Sequence, residues 1–100
     1  MRPRHIIQVI DRRRYDTATS TVIASDCYWD DHNWERSGRN TFLYKTTKGA
    51  YFVVNQTNWQ GEEDSLAPLD HDEAYALFEA LPVHEVSSGD AFPDVAIEDA

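Results

Sequence analysis

The chain has 100 residues, enough for one domain with one modest hydrophobic core. Its formal net charge of −9 at pH 7 argues against nonspecific affinity for nucleic acid or anionic lipid, since those polyanions reward Lys and Arg. Cys27 is the single cysteine, which excludes an intramolecular disulfide, and no stretch approaches the roughly 18 apolar residues of a membrane span.

Residues 5 to 10, HIIQVI, form a compact β-branched run and read as a strand, with Asp11-Arg12 as a two-residue turn into a second strand over residues 13 to 16. That turn places Ile10 opposite Arg13 and Gln8 opposite Tyr15, although Gly is the residue expected where the backbone turns left-handed. Asp16-Thr17-Ala18-Thr19-Ser20 offers side-chain oxygens to its own backbone and signals a further turn, after which TVIAS resumes β character. Residues 26 to 40 read as a long polar loop bearing Trp29 and Trp34.

The clearest pattern follows in TFLYKT-TKG-AYFVVN, two aromatic and β-branched runs joined by three residues ending in Gly49. Pairing Thr46 with Ala50 puts Tyr44 opposite Phe52 and Phe42 opposite Val54 on one side, and Lys45 beside Tyr51 on the other. A loop carries Trp59, and residues 66 to 69 form a short edge segment limited by Pro68. Asp70 and Glu73 then mark a helix start resembling a capping box. Ala74, Leu77, Phe78 and Leu81 share one helix face, and Pro82 ends the helix. A last short strand fits residues 83 to 86.

These elements predict an α+β fold: a small twisted antiparallel sheet of about four to five strands with one helix packed on it. The expected sheet takes in both N-terminal strands, with Ile7, Val9, Val22, Phe42, Tyr44, Phe52 and Val54 meeting Leu77, Phe78 and Leu81. Residues 1–86 are expected to form the single domain and 87–100 a loosely ordered acidic tail.

No chemical motif stands out. His5, His32, His71 and His84 are scattered without zinc-ligand spacing, and Glu62-Glu63-Asp64 lacks the alternating ligands of a calcium loop. No nucleophile sits in a recognisable base-partnered context, so the expectation is a protein that is not an enzyme and uses no cofactor and no metal. What the sequence does show is segregated charge. Every Lys and Arg lies at or before Lys48, whereas twelve of eighteen carboxylates come later.

Acidic surfaces meet basic ones. The expected partner is therefore a basic protein surface, reached through Glu62, Glu63, Asp64, Asp70, Asp72, Glu73 and Glu79, with Trp59 as an aromatic anchor. Asp70, Asp72 and Glu73 also suit the positive end of the helix dipole, whereas Glu79 lies near its negative end, where a carboxylate is disfavoured. An alternative reading makes Arg2, Arg4, Arg12, Arg13 and Arg14 a nucleic-acid-binding patch, with the acidic half limiting nonspecific association. In a further one, the basic strand of one copy meets the acidic helix of another.

The strings IDRRRYDTATSTVIAS, LYKTTKGAYFVV and PLDHDEAYALFEAL resemble a loose group of short bacterial and phage proteins. Its pattern has an IDG-x-x-YDT-x-TA opening, an LY[KR]T-x-x-G-x-[YF]F hairpin and a PL-x-x-x-EA helix start, covering roughly residues 6 to 81 here. Arg12 stands where the group has Gly. The resemblance implies a phage or mobile-element protein, and some acidic members of that size class are anti-CRISPR proteins, which bind a Cas subunit without catalysis. A cytoplasmic location in a bacterial host cell goes with that expectation.

Overall fold

The computed structural model describes residues 4–26, 39–57 and 60–95. The chain begins with β1 (Ile7–Ile10) and β2 (Arg13–Asp16), paired in the register the two-residue turn requires: Ile10 opposite Arg13 and Gln8 opposite Tyr15. A short 3-10 turn over Thr17–Thr19 follows, with the Asp16 carboxylate accepting from the Ala18 amide. β3 (Thr21–Ser25), β4 (Arg39–Lys45), β5 (Tyr51–Thr57) and β6 (Ser65–Leu69) then lead to helix α1 (His71–Ala80), β7 (Val83–His84) and one helical turn, α2 (Ser88–Ala91).

The fold is α+β. Five strands form an antiparallel sheet in the order β6-β5-β4-β3-β7, and β1 and β2 form a separate two-stranded sheet. The central β4–β5 pair has the expected register, with Phe42 opposite Val54, Tyr44 opposite Phe52 and Lys45 opposite Tyr51. Thr46 N–H closes it on Ala50 O at 2.8 Å, and Gly49 takes the left-handed conformation at φ 86°. β6 and β7 complete the sheet where the N-terminal strands were expected. The four-residue strands β1 and β2, already joined by their own turn, lie over the sheet rather than extending it.

Both faces of the sheet are covered. On one, Ile23, Ala24, Leu43 and Tyr51 pack with Ala74, Phe78, Leu81, Ala91 and Phe92. On the other, Phe42, Tyr44, Phe52, Val54 and Leu66 are closed over by Tyr15, with Ile6, Ile10 and Val22 at the margin. Tyr15 meets the Phe52 ring edge-on at 5.5 Å, and Phe52 stacks on Tyr44 at 4.9 Å. This corrects the expected pairing of Phe42, Tyr44, Phe52 and Val54 with the helix. The two-residue period assigned them correctly to one face, but α1 covers the opposite one. Ile7 and Val9 join neither cluster.

Helix α1 starts and stops as its sequence dictates. Asp70 Oδ1 accepts from Glu73 N at 2.7 Å, and Glu73 Oε1 accepts in return from Asp70 N at 3.1 Å. The apolar face is the expected one, with Ala74, Phe78 and Leu81 buried and Leu77 packed beside them.

The segment from residue 87, expected as a loose tail, is part of the domain through Val95. Ser87 caps α2, and Phe92 is fully buried, stacked on Tyr51 at 4.8 Å and edge-on to Tyr75 and Phe78. Tyr51 Oη donates to Ala91 O at 2.6 Å, and Lys45 Nζ donates to the same carbonyl at 3.1 Å. One aromatic residue among polar neighbours thus anchors the segment, which average hydrophobicity conceals. Among the described residues, no helix is long and apolar enough to cross a membrane.

Candidate interaction surfaces

The linear charge division becomes a division across the sheet. Residues 70–95, the layer containing α1 and α2, carry Asp70, Asp72, Glu73, Glu79, Glu85, Asp90 and Asp94 with no Lys or Arg. The opposite layer holds Arg12, Arg13 and Arg14. Packing explains the split, because α1 covers one face of β4 and β5 while the β1–β2 hairpin covers the other.

Within the acidic layer the carboxylates have unequal freedom. Asp70 and Glu73 are committed to the capping box. Asp94 Oδ1 lies 3.0 Å from His71 Nε2, and that hydrogen bond is the main cause holding its carboxyl below the ordinary value. Asp72 projects fully into solvent, 3.7 Å from His71 Nδ1, and Glu79, Glu85 and Asp90 are exposed. Among the described residues, none of the seven is hydrogen-bonded or ion-paired to Lys or Arg. Lys45, on β4, reaches this layer through the main-chain carbonyls of Asp90 and Ala91, lies 5.8 Å from the Tyr51 ring centroid and contributes to lowering Asp94.

Glu62, Glu63 and Asp64 lie apart from this layer's helix start. The strand β6 intervenes between Asp64 and Asp70, a run of six residue steps or roughly 20 Å. Asp64 is consumed internally: it accepts from Arg4 Nη1 at 2.7 Å and from Thr57 N at 2.9 Å. Glu62 accepts from Thr57 Oγ1 at 2.6 Å. Glu62 and Glu63 border a cavity of about 520 Å³ with Asn40, Thr41, Asn55 and Gln56. The residues expected to form one acidic face are therefore distributed between the helix layer and the β5–β6 end. Trp59 lies outside the described residues.

The arginines also divide. Arg2 is outside the described residues, and Arg4 belongs to the Asp64 contact. Arg12, Arg13 and Arg14 converge with Lys48 around a groove of about 690 Å³, floored by Tyr15 and flanked by Thr46 and Thr47. Lys48 joins them because the β4–β5 turn comes up beside β2, a contact that sequence spacing does not signal. Asp16, also on this groove, has its carboxyl held low first by the Ala18 amide and then by His5, which lies 2.9 Å away. Asp11 and Arg12 both have positive φ, 51° and 66°, so the groove's rim is built on a left-handed turn without glycine.

Among the described residues no group of three or more His, Cys, Asp or Glu side chains is placed to hold a metal ion. What fold and surfaces define is a small α+β protein with opposite charge on the two sides of one sheet. No protein-family model, curated protein or solved structure matches the chain.

Proposed function

We propose that the chain is a non-catalytic binding protein that docks its helix layer on a basic surface of a nucleic-acid-binding complex, as an inhibitor of the anti-CRISPR type acting in the bacterial cytoplasm. The observation that carries this reading is the segment over residues 70–95, which holds seven carboxylates and no Lys or Arg of its own. Carboxylates in that density substitute for phosphates as partners of a basic channel, and their field speeds encounter. Asp72, Glu79, Glu85 and Asp90 are the exposed members, and Glu62 and Glu63 extend the acidity at the β5–β6 end.

The test is guide-directed DNA cleavage by purified Cas effector complexes with the protein added before or after nucleic acid. Inhibition is expected when the protein is added first and is expected to weaken as salt rises. Glu79→Lys with Glu85→Lys and Asp90→Lys should abolish it while leaving the melting temperature unreduced. Full inhibition by this triple variant overturns the acidic-face reading; unimpaired cleavage across the effector panel overturns the anti-CRISPR assignment. Asp64→Lys is unsuitable because it also breaks the Arg4 and Thr57 contacts.

A second reading is favoured by the convergence of Arg12, Arg13, Arg14 and Lys48 on one groove, which suits a nucleic-acid backbone. Gel retardation of single-stranded DNA and RNA at physiological salt, lost on substitution of the three arginines by Ala, is its expected signature.

A further inference from the structure

Among the described residues, Ile7 and Val9 are the large hydrophobic side chains left exposed, at 53% and 65% of their full area. Both belong to β1, on the side turned away from the core, since the alternate residues Ile6 and Ile10 are the ones that pack inward. Thr17 N–H donates to Ile6 O at 3.0 Å, making that pair a hydrogen-bonded one. Antiparallel alternation gives Gln8/Tyr15 and Ile10/Arg13 the same status, so the main-chain N–H and C=O groups of Ile7 and Val9 point away from β2. No hydrogen bond reaches them from the described residues.

The main sheet treats its edges differently. β6 carries Pro68 and β7 has only two residues, both ordinary means of preventing edge pairing. β1 has neither device: its sequence is IQVI, with no Pro and no charge. An open polar edge bordered by bare β-branched side chains is a template for another strand.

We propose that this edge pairs with β1 of a second copy of the chain, antiparallel, about a two-fold axis through Gln8. The self-complementarity of the strand argues for that occupant. With Gln8 opposite its own counterpart, Ile7 lies opposite Val9 of the second copy, and the outward groups of both meet in about four main-chain hydrogen bonds. His5 and Asp11 stand beyond opposite ends of the strand, so the antiparallel arrangement brings His5 of one copy to the end at which the Asp11 turn of the other lies. The pairing would join two hairpins into one four-stranded layer.

Sedimentation equilibrium of the full chain tests the proposal. The expected result is a concentration-dependent doubling of mass from 11.5 kDa that Ile7→Lys with Val9→Lys reverses, without lowering the melting temperature in dilute solution where both proteins are monomeric, since both side chains are exposed. Register is read separately in a Cys27→Ser background. Gln8→Cys should form a disulfide-linked dimer, because a non-hydrogen-bonded pair brings Cα atoms to about 4.5 Å, whereas Ile7→Cys, opposite Val9, should cross-link far less. Wild-type protein that remains monomeric at millimolar concentration overturns the proposal and leaves the edge to a strand from another protein. A dimer that survives the double Lys substitution, or equal cross-linking by the two Cys variants, overturns it as well.

Discussion

At the Asp11-Arg12 turn, two L-residues hold a backbone conformation that costs roughly 1–2 kcal/mol each relative to right-handed geometry. Arg12→Gly should therefore stabilise the fold by about 1 kcal/mol and raise the melting temperature by roughly 4–8 °C, as calorimetry would read. Tyr44 makes a different demand. Burial pushes its hydroxyl from 10.0 up to about 12, so the unfolded chain gives up that proton first. The neutral-tyrosine contribution is intact below pH 10 and is lost as pH rises towards 12, at a cost of roughly 2–3 kcal/mol. Phenolate absorbance and circular dichroism should change together over that interval, and Tyr44→Phe should remove this part of the alkaline transition. At the acid end the sign is opposite. Asp16 and Asp94 both titrate below the ordinary 3.8, so their contribution is present above that value and lost as pH falls through their lowered ones. Asp16→Asn with Asp94→Asn should flatten the acid limb of a stability-against-pH curve.

Among the elements, the β4–β5 hairpin and α1 were legible because each carries its own punctuation: Gly49 for the one, Asp70, Glu73 and Pro82 for the other. The first hairpin's register was legible too, despite its unsuitable turn residues. Which face of the sheet the helix would cover was not, because Phe42 and Tyr44 on one side are as apolar as Leu43 and Tyr51 on the other. For the candidate surfaces, the sequence revealed charge but not commitment. Nothing near Asp64 announces that Arg4 will neutralise it, and the two are brought together only by folding. The same limit applied to Phe92, a lone aromatic in a polar segment. Phe92→Ala should cost about 3–5 kcal/mol in urea unfolding, and Phe92→Leu less, because Tyr51, Tyr75, Phe78 and His71 close around that ring. Asp70→Ala should cost about 1 kcal/mol by the same measurement.

The whole molecule is an electrical bilayer with a sheet between its poles. Glu79 shows how that arrangement sets binding against stability, since it sits in the final turn of α1 without a basic residue beside it. Glu79→Lys should stabilise the folded protein by about 0.3–1 kcal/mol in low salt while weakening attachment to a basic partner. Thermal melting and binding, measured on that one variant, should therefore move in opposite directions. The place of Phe92 has a consequence for biosynthesis as well. The hairpin-side cluster draws on residues no later than Leu66 and can consolidate early on the ribosome, but the helix-side cluster lacks its central ring until translation has passed residue 92. A nascent chain stalled before that point would present α1 and the exposed face of Leu43 and Tyr51 to chaperones, however complete its other half.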